Sequence, residues 1–393
     1  MSSDTPTRQP TRPVFGWDNL RGPRATSLPA VDALPHRQVL TSGRAAIGAA
    51  VQVLGLRPGD GVLAPSYHCP TLVAPLRAAG SAVQYYPLNA QGLPELSGLQ
   101  PAPGTRALLA AQLFGLPQSF AGVRAWCDAH GLALIEDCAH SFFGQAGERP
   151  VGHWGDVATA SLTKFFPVSE AGLLASAQPF APMPLAPAGA RQQVKAGVDL
   201  LERGAQHRRL PGLHMGLDAL FRLKNGPRAA TAAPVAAHAS PAALTPPAAA
   251  EAAMLAACDM SRTGQSVTAL DRALLRLPRG RIVSARRAHF NQLLQAGNAL
   301  THARPLWPVL PDGAAPYALP LWVADADRAD AAYAALRAAG CAVFRWDHTW
   351  PGCPALPGDA GTAWRRELLQ LLCHQDLTAT ELAHTAAQLQ RLL

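Results

Sequence analysis

The chain has 393 residues, a formal net charge of +8, 49% apolar residues and only 15% charged ones. That length suits a large domain with a smaller companion, and the apolar share is enough to fill real cores. The basic excess is scattered arginine with no basic run interleaved with aromatics, which excludes a nucleic-acid surface; no uninterrupted apolar span approaches the ~20 residues needed to cross a bilayer.

Residues 1 to about 37 read as an extended arm, because Pro10, Pro13, Pro23, Pro29 and Pro35 prevent helix. From Leu40 onward strand-like and helix-like segments alternate. A helix is expected over 43–54, with strands near Val62, Val83, Leu108, Leu134, Ala158 and Leu173, and helices over 71–79 and 120–130 between them. This rhythm predicts a mainly parallel sheet covered by helices. The stretch 179–253 breaks it with prolines among alanines and reads as a partly mobile loop or linker. Beyond it a helix over 282–294, a strand over 317–323, a helix over 326–339 and a strand over 342–346 predict a small α/β unit. Thr378 and Glu381 form a capping-box signature ahead of a terminal helix. The expected division is arm 1–37, large unit 38–255 and small unit 256–393.

The seven cysteines are dispersed without a Cys-x-x-Cys pair, and the first dozen residues lack an apolar signal core, so a reduced, cytoplasmic protein is expected. No P-loop, His-Glu-x-x-His, Gly-x-Ser-x-Gly or zinc-finger spacing is present, so metal and triad chemistry have no support and no metal site is expected.

Three features carry chemistry. Thr41-Ser42-Gly43-Arg44-Ala45 precedes a helix, where unpaired N–H groups and the helix dipole favour an anion, and Arg44 is a cation placed where only an anion would welcome it. Ser42 acting only as an N-cap is the plainer reading. Asp137 follows a buried strand and needs a partner for its charge; a protonated pyridine nitrogen would be one, although a turn residue is equally consistent. His140 could hydrogen-bond a phenolate oxygen on the same ring or be a satisfied buried histidine. Lys164, one of only three lysines among 34 basic residues, follows the next strand and can form an imine, which arginine cannot; alone it would be read as a surface lysine. A phosphate nest, a carboxylate and a lysine at successive strand ends are together the requirements of pyridoxal 5'-phosphate. Ser161 could add a phosphate hydrogen bond.

In order as well as content these segments resemble the DegT/DnrJ/StrS sugar aminotransferase family of fold type I pyridoxal-phosphate enzymes. Ser42-Gly43-Arg44-Ala45-Ala46 is similar to its Ser-Gly-Thr-Ala-Ala segment, Gln112-Leu113-Phe114-Gly115 to its His-Leu-Tyr-Gly, and Ile135-Glu136-Asp137-Cys138-Ala139-His140 to its Ile-Glu-Asp-Ala-Ala-His/Gln. The likeness runs over about residues 38–176. It implies a three-layer α/β fold with a mostly parallel seven-stranded-type sheet and a smaller C-terminal α/β domain. It further implies Lys164 as the Schiff-base lysine, Asp137 on the pyridine nitrogen, His140 near the ring oxygen, and Ser42, Gly43, Arg44, Ala45 and Ser161 around the phosphate. The implied activity is amino transfer from an amino-acid donor to a keto sugar, nucleotide-linked, in polysaccharide or secondary-metabolite biosynthesis, by a homodimer. The alternative is a cofactor-binding but non-catalytic regulator or scaffold of the same fold. Two departures stand out. The lysine follows Ser161 by a shorter step than in the family, and Cys69 falls where an aromatic stacks on the ring, so stacking is lost or supplied by Tyr67 or His68.

Overall fold

The computed structural model describes residues 8–213, 216 and 247–393. Its elements in chain order are β1 (His36–Leu40), α1 (Gly43–Val53), β2 (Gly61–Pro65), α2 (Pro70–Ala78), β3 (Ala82–Tyr86), β4 (Thr105–Ala111), α3 (Ala121–His130) and β5 (Ala133–Asp137). A two-residue hairpin, β6 (Gln145–Ala146) with β7 (Arg149–Pro150), leads to β8 (Val157–Ser161) and β9 (Gly172–Ser176). Then come α4 (Ala190–Gln206), α5 (Pro247–Ala257), α6 (Ala269–Leu274), α7 (Arg279–Asn298), β10 (Arg304–Pro305), β11 (Ala318–Trp322) and α8 (Ala326–Ala338). The chain finishes with β12 (Val343–Phe344), α9 (Ala360–Glu367), β13 (Leu368–Leu372) and α10 (Ala379–Leu392).

The large sheet has seven strands in the order β1-β9-β8-β5-β4-β2-β3. β2, β3, β4, β5 and β8 pair in parallel, whereas β9 runs antiparallel to both β8 and β1. Its central strands read as continuous apolar runs, as a sheet covered on both faces requires, and β2 and β9 are buried at every position. The second sheet, β10-β11-β13-β12, is antiparallel and smaller. This is the expected α/β fold, with its seven-stranded, mostly parallel sheet and smaller C-terminal unit.

Local chemistry explains the element ends. Ser42 Oγ accepts the N–H of Ala45 at 3.1 Å and starts α1, whose buried Ala46, Ile47, Ala50 and Val51 then line one face. Gly131 closes α3 with φ of 64°. Thr378 and Glu381 close the predicted capping box on α10, through Glu381 N–H to Thr378 Oγ1 at 3.2 Å and Thr378 N–H to Glu381 Oε2 at 2.7 Å.

The structure departs from expectation in four places. Within the proline-rich stretch 179–253, α4 is a regular 17-residue helix, because residues 188–210 contain no proline at all. Much of the rest of the expected mobile stretch, 217–246, lies outside the described residues. The segment expected as an extended arm carries two 3₁₀ turns, Trp17–Leu20 and Val31–Ala33, and is hydrogen-bonded to the C-terminal elements. Gln9 donates to the Glu381 carbonyl at 2.7 Å and accepts from the Ala342 N–H at 2.9 Å, and Asp376 accepts from Val14 N–H and Asn19 Nδ2. Lastly, β1 starts at His36, before the expected onset of order, and β13 was not anticipated: its Leu-Leu-Gln-Leu-Leu run carries no alternation, since every position is buried.

Candidate active site

Lys164, Asp137, His140, Cys69, Ser161, Ser42, Gly43 and Arg44 all line one cavity of about 290 Å³ at the C-terminal ends of the parallel strands. That edge is where open α/β sheets place ligands, because strand ends and helix N-termini converge there. Ala45 is the exception among the predicted residues: it is buried and its N–H is taken by Ser42, so it supports the nest without reaching the cavity.

β5 delivers the carboxylate. Successive strand residues face opposite sides of the sheet, so Glu136 and Asp137 part company. Glu136 is fully buried away from the cavity and accepts from Gly152, Trp154 and Gly155 N–H groups and from Gln112 Nε2, at 2.8 to 3.3 Å. Asp137 accepts through one oxygen only, from the Ala139 N–H at 3.0 Å and Thr159 Oγ1 at 3.1 Å. Burial pushes its carboxyl upward while the Lys164 charge pulls it back, so acid and amine feel each other across the cavity.

Lys164 sits at the end of a 3₁₀ turn, Leu162–Lys164, that follows β8 directly. Its Nζ is 5.2 Å from the centre of the Tyr317 ring and, among the described residues, donates no hydrogen bond. Burial lowers its ammonium from the ordinary range, with Cys69 and Asp137 opposing. The turn is clamped from below: the fully buried Arg286 donates to the Lys164 carbonyl at 2.5 Å, to the Pro316 carbonyl at 3.0 Å and to Gln375 Oε1 at 2.9 Å, and its guanidinium lies 4.4 Å from the Phe165 ring centre.

His140 accepts the Phe114 N–H at Nδ1 (3.3 Å), which assigns its ring proton to Nε2. Burial and the Lys164 charge hold it well below the usual imidazole range, so it is a neutral donor. It stacks on Tyr317 at 4.2 Å and meets Trp346 at 5.0 Å. Tyr317 is brought there by Gly115, at φ of +77°; a side chain at this position would lie 2.2 Å from the Tyr317 backbone nitrogen.

The phosphate-nest residues meet the lysine turn closely. A Cβ on Gly43 would come within 3.2 Å of Ser161 Cβ, and one on Gly172 within 2.0 Å of the Ser42 carbonyl oxygen. The first-turn N–H groups of Gly43 and Arg44 have no intrahelical acceptor, and Arg44 Nε is buried without a partner among the described residues.

Neither Tyr67 nor His68 lines the cavity, so the sequence alternative in which one of them stacks on a cofactor ring is not met. Tyr67 packs against Trp346 and Trp364 in the core, and His68 is spent between the Pro65 carbonyl and the Trp350 N–H, stacked on Tyr85. Cys69 does line it. Sequence reasoning missed Arg12, Arg262, Trp346, Tyr317 and the role of Arg286, all brought in from chain segments far from the motifs; the only available signal was that Arg286 stands in a helix whose other core positions are apolar.

Residues 34–180 match the sequence model of the DegT/DnrJ/EryC1/StrS aminotransferase family. The chain is 30% identical over 151 residues to a UDP-N-acetyl-3-dehydro-alpha-D-glucosamine 3-aminotransferase from Acidithiobacillus ferrooxidans, covering 36% of this chain and 38% of that protein. It is 27% identical over 170 residues to GDP-perosamine synthase from Vibrio cholerae, covering 41% of this chain and 46% of that one. The matched region thus spans less than half the length of these relatives. In fold, the chain is similar to AtS13 from Actinomadura melliaura (TM-score 0.61, 17% identity, 98% of each chain) and to the aminotransferase TlmJ from Streptoalloteichus hindustanus (TM-score 0.59, 18% identity, 91% of this chain and 85% of that one).

Proposed function

We propose that the chain is a member of the DegT/DnrJ/EryC1/StrS aminotransferase family, whose model its residues 34–180 match and whose members use pyridoxal phosphate, and that it is itself a pyridoxal-phosphate aminotransferase. The reading extends to an amino-acid donor and a keto sugar, nucleotide-linked, as acceptor. The observation that carries it is the convergence of Lys164, Asp137, His140 and the α1 nest on one cavity.

The residues present fit the cofactor. The unpartnered Arg44 Nε and the close approach of Gly43 to Ser161 suit a phosphate, which Ser42, Gly43, Arg44 and Ser161 would hold. Asp137, with one oxygen unspent, would take the ring N–H, and His140 Nε2–H would donate to the ring oxygen. Lys164 would hold the aldehyde. When bound, the cofactor supplies that aldehyde and an electron-poor ring that spreads the charge left by a departing proton. Lys164 Nζ, its ammonium destabilised by burial, accepts and returns a proton at neutral pH more readily than an exposed lysine. Trp346 walls the site and, with Tyr317 stacked on the imidazole, orients His140.

The same proposal assigns the arm to 1–37, the cofactor unit to 38–255 and the smaller unit to 256–393, and takes the protein as a cytoplasmic homodimer. Seven free cysteines support a reducing compartment. Among the described residues, no helix is long and apolar enough to cross a membrane.

The test is borohydride reduction of the cofactor-loaded protein and mass mapping. A cofactor adduct is expected on the Lys164 peptide and absent from Lys164→Ala; an adduct on Lys195 or Lys224 instead sinks the assignment. Spectral conversion of the loaded protein by an amino donor then separates an enzyme from a scaffold that only binds the cofactor.

A further inference from the structure

A second cavity, of about 330 Å³, adjoins the first, and Arg12, Ser169, Glu170 and Arg262 line both. Three arginines line this second cavity from separate parts of the chain: Arg12 from the arm and Arg262 from the segment before α6, which also line the first, and Arg203 from α4. Their hydrogen-bonding capacity is largely unspent. Arg203 donates to the Asp199 carbonyl at 3.1 Å and to Ser169 Oγ at 3.1 Å, and its buried Nη1 has no partner. Arg262 pairs with Glu170 at 2.8 Å, yet its Nε and Nη2 are buried without partners. Arg12 makes no hydrogen bond among the described residues.

The acidic side chains lining the second cavity, Glu170, Asp199, Glu202 and Asp271, offset part of the positive charge but leave Arg203 Nη1 and Arg262 Nε and Nη2 without a hydrogen-bond partner among the described residues. Asp271 is occupied by the Ser169 N–H at 2.7 Å and Thr268 Oγ1 at 2.8 Å, and Asp199 is paired with Lys195. Arg12 is exposed on the arm, and its guanidinium is lowered to about 10 by desolvation at the cavity mouth and by the Arg203 charge, with Asp199 opposing. Buried guanidinium donors left unpaired, as on Arg203 and Arg262, are costly unless an acceptor enters the cavity to meet them.

We propose that Arg12, Arg203 and Arg262 form an oxyanion subsite at the seam of the two cavities, taking the carboxylate of the amino donor or a phosphate of the acceptor. The site rests on the aminotransferase reading only for what the oxyanion is attached to. A guanidinium fork suits either group, because both present paired oxygens. Ser169, held by Arg203 and Asp271, fixes the wall on the cofactor side, so a substrate anchored here extends toward Lys164.

The experiment titrates the pyridoxal-phosphate-loaded protein by calorimetry with inorganic pyrophosphate and, separately, with glutarate, a dicarboxylate without an amino group. Binding of at least one is expected, weakened about ten- to a hundredfold by Arg203→Gln and by Arg12→Gln and less by Arg203→Lys, with the cofactor absorbance unchanged. Preference for pyrophosphate assigns the subsite to the acceptor; preference for glutarate assigns it to the donor. The proposal is overturned if neither anion binds the wild type, if the glutamine variants bind as tightly, or if the anion acts only by expelling the cofactor. Arg12→Gln, on the surface arm, guards against a folding defect in the Arg203 variants. A protein that takes up no cofactor sinks the enzymatic reading alone, and the same anion titration on that protein still decides the subsite.

Discussion

Arg286 is the most informative single substitution, because it joins stability to the position of Lys164, the amine proposed to hold the cofactor. Methionine in its place keeps apolar contact with Phe165 but strands two buried acceptors, the Lys164 carbonyl and Gln375 Oε1, and leaves the Pro316 carbonyl with Cys373 Sγ as its donor. Each unsatisfied acceptor costs about 1–3 kcal/mol, and the release of a buried charge, itself lowered to about 10 by burial, offsets part of the sum. A net loss of about 3 kcal/mol follows, read as a shift in the urea midpoint and a fall in Tm of about 5 °C. With its carbonyl anchor gone, the Lys164 turn loosens, so the visible absorbance of the lysine-bound cofactor forms more slowly and to a lower extent. Arg286→Lys keeps the charge but not the fork, and recovers the smaller part of both losses. Arg286→Met within about 0.5 kcal/mol of the parent, with normal cofactor loading, would refute the claim that this guanidinium holds the turn.

Gly172→Ala drives a Cβ to 2.0 Å from the Ser42 carbonyl oxygen and 2.7 Å from the Gly43 nitrogen. It is expected to cost about 1–3 kcal/mol and to weaken pyridoxal-phosphate affinity by about tenfold, measured by fluorescence quenching; unchanged affinity breaks the link between that loop and the phosphate. His68 and His374 are buried and lowered to about 4 and about 3, chiefly by desolvation, from an ordinary 6.5. Their imidazole NMR signals are expected to titrate near those values. Since the folded state binds these protons later than the unfolded chain does, their contribution to stability is complete above pH 6.5 and is lost as pH falls toward 4 and then 3. Titration of either ring near 6.5 contradicts its burial as a neutral group.

The sequence disclosed what is local. The α1 nest, the Glu136-Asp137 strand end and Lys164 stand within the run of alternating elements, where apolar periodicity marks each strand and its terminus exposes the polar residue. The α4 helix escaped because prolines on both sides masked a proline-free interval, and β13 because full burial erases the alternation that identifies strands. Tyr317, Trp346, Arg286 and Arg12 could not be foreseen, since each reaches the site through tertiary packing between segments that share no local pattern. Cys69 was placed at the cavity by position in the motif, whereas the alternative stacking partners Tyr67 and His68 were drawn into the core by their own partners, Gln370 for one and Pro65 with Trp350 for the other.

The opposed fates of Glu136 and Asp137 make β5 intolerant of any change in length. Deleting or inserting one residue ahead of this pair exchanges their faces: the longer acid would enter the cavity, the shorter one would fall short of Gly152, Trp154 and Gly155, and three amide donors would be left bare in the interior. Two carboxylates that look interchangeable in composition therefore act as a ruler for the strand, and natural or engineered variants of this chain should vary in its loops while holding the residue count of β5 fixed.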